Sequence, residues 1–221
     1  MATVRQYKEG LIGKKIGMTQ VFTAEGAAVP VSVIQTGPNY VLQVKTKEKD
    51  GYDAVQLGFE PKKQQRVNKA VAGHCAKAEK GAFYHLRELR CDVDGLGWAE
   101  VGKELVVGDV FEKGQYLDVQ GVTKGKGFQG VVRRFGSRGQ PASRGTHEMF
   151  RHIGSIGCRK FPGRVFKNQK MPGHMGHLQV TAPNLQIVDV IPEKNILLVK
   201  GAVPGPVNGV LVVRKAQKKS K

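Results

Sequence analysis

Residues 121–178 read GVTKGKGFQGVVRRFGSRGQPASRGTHEMFRHIGSIGCRKFPGRVFKNQKMPGHMGHL. These 58 residues hold twelve Lys or Arg, twelve Gly and four of the six His, against a single acid, Glu148. The segment therefore carries +11 of the formal net charge of +18. It has neither the period of a strand nor that of a helix. Long structureless loops in compact domains are usually functional or disordered. The segment is therefore expected to be distinct from the domain formed by the rest of the chain.

The basic segment also keeps apolar side chains that a plain linker lacks, among them Phe128, Phe135, Phe150, Phe161 and Phe166. Glycine and charge alone cannot build a core, so we expect an extension that becomes ordered on a partner. The backbone amides of the free extension are then expected to exchange without protection when no RNA is bound.

The rest of the chain has the pattern of short strands separated by turn residues. The expected strands are 11–22, 29–35, 40–45, 54–59, 115–121, 178–182, 185–191, 196–200 and 209–215. Helices are expected only in 64–90, as one or two short elements. Short strands at spacings of roughly 8–12 residues predict a mainly β fold with some α, in the form of a barrel or sandwich.

Composition excludes several classes of protein. No stretch of the 221 residues approaches the ~18 apolar residues of a membrane span. The N-terminus lacks the apolar region of a secretory signal, and three scattered Cys do not make a disulfide scaffold. Cys75 and Cys91 are expected to be buried or half-buried. We expect a cytoplasmic protein with no membrane partner.

The excess of positive charge predicts a polyanionic partner. Lys and Arg bind phosphates irrespective of sequence, and Gly lets the backbone come close to another chain. Arg and aromatic side chains stack on unpaired bases, which favours RNA over DNA. A solvated basic face without a partner is the alternative, but it explains poorly a +11 segment that could not fold alone.

Two other types of site match parts of this sequence. Residues 125–130 match G-x-G-x-x-G, with Glu148 about 20 residues on, as in a dinucleotide-binding oxidoreductase. That motif needs an unbroken helix next, whereas Gly136, Gly139 and Pro141 interrupt this sequence. We therefore expect no cofactor and no small-molecule substrate.

A metal cluster would draw on His147, His152, Cys158, His174 and His177. Their spacing is loose and cationic neighbours oppose a divalent ion, so no metal is expected. A nucleophilic Cys158 with His147 or His152 has no orienting acid except Glu148. We predict no catalytic residues.

Seven motifs, in order along nearly the whole chain, resemble the bacterial-type family of large-subunit ribosomal protein three. They are GLIGKKIGMTQVF (10–22), VPVSVIQ (29–35), DGYDAVQLGF (50–59), KGKGFQGVVRRFG (124–136), GSIG (154–157), PGRVFKNQKMPGHMG (162–176) and NILLVKGAVPGPVNGVLVV (195–213).

The resemblance implies a translation-factor-like β-barrel interrupted by a long irregular basic extension. The barrel domain would comprise 1–121 and 179–221, with a small α/β insertion at about 60–110, and the extension 122–178. The resemblance further implies a structural constituent of the large ribosomal subunit, not an enzyme. It would bind large-subunit rRNA early in assembly, contact neighbouring ribosomal proteins and reach toward the peptidyl transferase centre, with its tip in 144–157.

Cationic, aromatic and imidazole side chains of the matched motifs and the extension are the expected RNA contacts. They are Lys14, Lys15, Lys124, Lys126, Phe128, Arg133, Arg134, Arg138, Arg144, Arg151, His152, Arg159, Lys160, Arg164, Lys167, Lys170 and His174. The family often carries glutamines after GSIG, one of which can be methylated. Residues 158–161 are Cys-Arg-Lys-Phe here, so that modification is not expected. A free-standing RNA chaperone or general nucleic-acid binder is the alternative function.

Overall fold

The computed structural model describes residues 9–91 and 99–219. The fold is mainly β with a few short helices. It divides into two compact units. The first unit contains the described residues up to Val122 and from Gln179 onward, and the second is Thr123–Leu178. Among the described residues, no helix has the length and apolarity needed to cross a bilayer.

Twelve strands make up most of the regular structure in the described chain. They are β1 (Gly10–Phe22), β2 (Ala28–Gln35), β3 (Asn39–Lys45), β4 (Ala54–Pro61), β5 (Phe83–Leu89), β6 (Glu104–Leu105), β7 (Tyr116–Val122), β8 (Phe128–Gln129), β9 (Gly173–His174), β10 (Gln179–Ile191), β11 (Ile196–Lys200) and β12 (Val210–Lys215).

The α-helices are short. They are α1 (Lys47–Asp50), α2 (Lys69–Ala76), α3 (Val107–Val110) and α4 (Val131–Phe135). Single 3-10 turns lie at Gln64–Arg66 and Pro192–Lys194, and a longer 3-10 segment spans Arg144–Arg151.

Six strands of the first unit pair antiparallel in a closed cycle, in the order β1, β12, β7, β10, β11, β2 and back to β1. Alternate side chains point to one face of a strand, and here that face is apolar. Leu117 and Val119 of β7, with Leu211 and Val213 of β12, are buried in one cluster. The alternation in the sequence therefore places the core within this cycle.

The remaining strands of the first unit form a four-stranded antiparallel sheet in the order β5, β4, β3, β6. Leu57 and Leu105 from this sheet join the same core as the six-stranded cycle. In a second cluster, Cys75 of α2 packs with Leu42 and Phe83. Helix α2 begins where the Asn68 side chain accepts a hydrogen bond from the N–H of Ala70 at 2.8 Å.

Most expected strands are present. The short helices α1, α3 and α4 lie outside 64–90, the segment in which helices are expected. Two further differences concern residues 178–191 and 64–90. The stretches 178–182 and 185–191 form one strand, β10, whose pairing with β7 shifts register between Ala182 and Leu185. The expected helices in 64–90 are limited to α2 and a 3-10 turn, because 83–89 is strand β5. The sequence of β5 does not alternate between apolar and polar residues. It forms a strand because it pairs with β4 and buries Phe83 and Leu89.

The cysteines of the first unit behave as expected. Cys75 and Cys91 are buried free thiols. Trp98, which the sequence leaves without a role, lies outside the described residues.

Asn39 joins β1 to β3 inside the core. Its side chain is fully buried, and its amide donates to the carbonyl of Ile12 at 3.0 Å and to that of Thr36 at 2.5 Å. Its carbonyl oxygen accepts from the N–H of Ile12 at 3.2 Å. The two backbone groups of Ile12 thus have partners where water is excluded.

We expect Asn39→Ala to lower the free energy of unfolding by about 1–3 kcal/mol, because it removes partners from buried backbone groups. Urea unfolding of the full chain measures the change. Gln20→Ala, at an exposed position of β1, is the matched control and is expected to leave the midpoint nearly unchanged. An Asn39→Ala midpoint equal to that of the control would contradict this role.

A second polar cluster lies on the four-stranded sheet. The Glu88 carboxylate is 2.8 Å from the Lys45 ammonium and accepts from the Tyr52 hydroxyl at 2.9 Å. The Lys45 hydrogen bond holds the pKa of Glu88 below its ordinary value of 4.5. The same hydrogen bond raises the pKa of Lys45 above its usual range.

The lowered pKa of Glu88 predicts a pH dependence of stability. Since the folded chain binds this proton less readily than the unfolded chain, the stabilisation is present above pH 4.5 and is lost as pH falls through the lowered pKa. Glu88→Gln should lower the melting temperature at pH 7 and make the decline below pH 4.5 less steep. Melting curves across pH test this, with Glu25→Gln in the exposed β1–β2 turn as control. Parallel curves for wild type and Glu88→Gln would refute it.

Candidate nucleic-acid interface

Backbone hydrogen bonds close the second unit at its base. The N–H of Thr123 donates to the carbonyl of Leu178 at 2.9 Å, and the N–H of Leu178 donates to Thr123 Oγ1 at 3.2 Å. Further along, Phe128 of β8 pairs with His174 of β9. The basic segment therefore runs outward and returns as two paired limbs.

Gly176 is required where the limbs approach each other. Its φ of +75° lies in the left-handed region, and an added Cβ would stand 2.2 Å from the carbonyl oxygen of Lys124. Any other residue would have to push the two backbones apart. A glycine is thus required at this position by the backbone conformation and by the close approach of the two limbs.

Arg134 fastens the limbs together farther out. Helix α4 carries this half-buried residue, whose Nη1 donates to the carbonyl of Met171 at 2.8 Å. Its guanidinium carbon also lies 4.9 Å from the centre of the Phe135 ring. Arg134 therefore holds the unit in shape, a role that the sequence does not distinguish from phosphate binding.

The distal part of the unit is built from helical turns. The 3-10 segment at Arg144–Arg151 is interrupted at His147, where φ is 48° and ψ is −131°. The N–H of Gln140 donates to the carbonyl of Phe150 at 2.9 Å, which ties this segment to the preceding loop. The resulting fold is irregular but hydrogen-bonded.

The expected RNA-contacting side chains of this unit are exposed, with the exception of Arg134. Within residues 123–178, all of which the structure describes, no ion pair joins a cation to Glu148. Uncompensated charges of one sign repel each other and attract counter-ions. The exposed face is therefore suited to a polyanion.

Lys14 and Lys15 are situated differently. The Lys14 ammonium lies 2.7 Å from a carboxylate oxygen of Glu60. Lys15 is only 8% exposed, and its ammonium donates to the carbonyls of Val203 at 3.0 Å and Gly205 at 3.4 Å. Lys15 is thus engaged in the fold, and its expected contact with RNA does not fit this burial.

The geometry does not favour the other sites considered. Phe128 and Gln129 of the glycine motif lie in β8, and α4 has five residues before Gly136 ends it, too few for the helix of a dinucleotide site. Among the described residues, no three His, Cys, Asp or Glu side chains are grouped closely enough to hold a metal ion. Cys158 is exposed.

The structure also reveals a feature that sequence reasoning missed. Residues from three separate stretches of the second unit line a cavity of about 720 Å³. Phe128, Arg151 and His152 were expected at an RNA interface, whereas Gln140 and Met149 were not. No spacing in the sequence indicates that these residues meet, because their proximity depends on the fold of the limbs.

Comparison with known proteins gives a consistent result. A family model described as ribosomal protein L3 matches residues 93–194. The large ribosomal subunit protein uL3 of Syntrophotalea carbinolica is 52% identical over 211 residues, covering 95% of this chain and 99% of that protein. The proteins of the same name from Syntrophus aciditrophicus and Geobacter sulfurreducens are 50% and 48% identical, over 96% of this chain and 95% and 99% of their own lengths. On this similarity over nearly the full length, the chain belongs to the ribosomal protein L3 family.

Proposed function

We propose that the chain is a structural constituent of the large ribosomal subunit and binds large-subunit rRNA through the second unit. The observation that carries the proposal is the set of exposed cations in residues 123–178, none of which is paired with an acid of that unit. RNA supplies both phosphates for these cations and unpaired bases for exposed aromatic rings. Neighbouring proteins of the large subunit are the further partners.

The finer architecture is part of the same proposal. We infer that the closed cycle of six strands is a translation-factor-like β-barrel, formed by 1–121 and 179–221 with the α/β insertion at about 60–110. Residues 122–178 are the rRNA-penetrating extension. Two observations support this division: the strands pair as a cycle, and Thr123–Leu178 forms a separate compact unit.

The contact residues divide by role. The exposed Lys and Arg side chains of the extension neutralise phosphates, and Phe128, His152 and His174 reach bases or sugar edges. Arg134 contributes by fastening the limbs, and Lys14 binds RNA only if it exchanges Glu60 for phosphate. Lys15 is left out because its ammonium is used within the fold.

The proposed place of action is the ribosome in the cytoplasm, where the protein joins early in assembly and its extension points toward the peptidyl transferase centre. As a member of the ribosomal protein L3 family, the chain is a ribosomal component and not an enzyme. A free-standing RNA chaperone is not favoured, since the relatives of about 50% identity are large-subunit proteins.

Sedimentation of a gentle cell lysate tests the ribosomal role. We expect the protein to sediment with the large subunit and its precursors and to remain there through a moderate salt wash, because a penetrating extension is enclosed by RNA. Release into the free fractions, or a spread over many nucleic acids, would contradict the proposal.

Removal of two charges tests the contribution of the extension. The double variant Arg159→Gln/Lys160→Gln is expected to weaken rRNA binding and to reduce the slope of log K against log salt concentration by about 0.7–0.9 for each phosphate that the variant no longer neutralises. The control Lys77→Gln/Lys194→Gln removes two exposed charges of the first unit. Equal slopes for both double variants would argue against phosphate binding at residues 159 and 160.

A further inference from the structure

The cavity of the second unit is large enough for a nucleotide. Its volume of about 720 Å³ lies within the range of roughly 300–1,000 Å³ that is typical of small-molecule sites. Its walls come from residues 128–131, residues 140–154 and Pro172. All of these residues belong to the basic unit, so the cavity lies within the proposed RNA-binding surface.

Hydrogen bonds hold the walls of the cavity in place. Gln140 is tied to Phe150 through its backbone N–H at 2.9 Å. Arg134 is tied to Met171 at 2.8 Å, directly before Pro172. Val131, which lines the cavity, is buried. The walls of the cavity are thus held by contacts within the second unit itself.

The lining combines three kinds of chemistry. The Phe128 ring is 76% exposed and the Met149 thioether side chain is 60% exposed, which gives apolar surface at an accessible site. Gln140 and Thr146 supply groups that donate and accept hydrogen bonds. Arg151 and His152 supply cationic or hydrogen-bonding groups, and no acid is among the described residues that line the cavity.

We propose that this cavity receives one unstacked nucleobase of the bound RNA. The base stacks on the Phe128 ring, its edge meets Gln140 or Thr146, and its phosphate lies by Arg151 and His152. A nucleobase has a flat apolar face, a polar edge and an attached negative charge, which are the three features that this lining complements. The inference rests on the proposed function and deepens it, because it names the part of the RNA that this site takes.

The first test removes the stacking surface without changing charge. The full chain is titrated with deproteinised large-subunit rRNA at several salt concentrations, as wild type, Phe128→Ala and Phe128→Leu. Phe22→Ala is the control, since Phe22 is 65% exposed, lies in β1 of the first unit and does not line the cavity. We expect both Phe128 variants to lose about tenfold or more in affinity with an unchanged salt slope, and the control to lose little.

The second test fills the cavity from its wall. An added Cβ at Gly145 meets nothing within 4 Å, so Gly145→Ala is expected to bind rRNA as wild type does. Gly145→Leu places a larger side chain at the same wall and should weaken binding as Phe128→Ala does. Ultraviolet crosslinking of the wild-type complex, followed by mass spectrometry, should find a nucleotide attached to a peptide that contains Phe128, Met149 or His152.

The outcomes separate this inference from the proposed function. If wild type binds rRNA and Phe128→Ala and Gly145→Leu bind as tightly as Phe22→Ala, the cavity does not take a base, although the function stands. If wild type fails to bind rRNA, both are overturned. Saturable binding of adenosine monophosphate that Phe128→Ala abolishes, with rRNA affinity unaffected, would assign the cavity to a free nucleotide and overturn the inference.

Discussion

Repulsion among like charges is the constraint on which the second unit depends. Twelve Lys and Arg side chains share 56 residues with one acid, and Thr123–Leu178 contains no ion pair between them. The unit is held without ion pairs by its paired backbone limbs, by the Arg134 hydrogen bond to a carbonyl and by a glycine where the limbs touch. The compensating charge has to come from a partner, and phosphates supply it.

In the first unit, part of the positive charge is compensated by acidic side chains of the same unit. Several of its cations lie beside carboxylates, as in Lys14 with Glu60, Lys45 with Glu88 and Lys215 with Glu9. Its core is apolar and continuous between the closed cycle of strands and the four-stranded sheet. In the proposed function, RNA binding belongs to the second unit, whereas the apolar core lies in the first. The similarity to the relative from Syntrophotalea carbinolica extends over 95% of this chain and therefore includes residues of both units.

Much of the strand structure and the separate basic unit could be predicted from the pattern of apolar residues and from the distribution of charge along the sequence. Strand β7 has the period of 2 that is typical of a half-buried strand, and β11 is a short apolar run; both are present in the structure. Strand β5 lacks a clear alternation, because only Phe83 and Leu89 at its ends are deeply buried, and its state is decided by pairing with β4. Lys15 illustrates the limit for sites: sequence indicates its charge but not that the loop at Val203 and Gly205 receives it.

Some of the apolar residues of the basic unit come together in its fold. Phe128, Val131, Met149 and Ile153 come from separate stretches of the sequence and contribute to no extended core, yet they line one cavity with Arg151 and His152 beside them. A purely electrostatic binder would need the cations alone, since phosphates attract them at any spacing. An apolar cavity among exposed cations is suited to a ligand that has a flat uncharged group attached to a negative one. In the proposed complex, a single nucleotide supplies both groups, because its base is flat and its phosphate is negative.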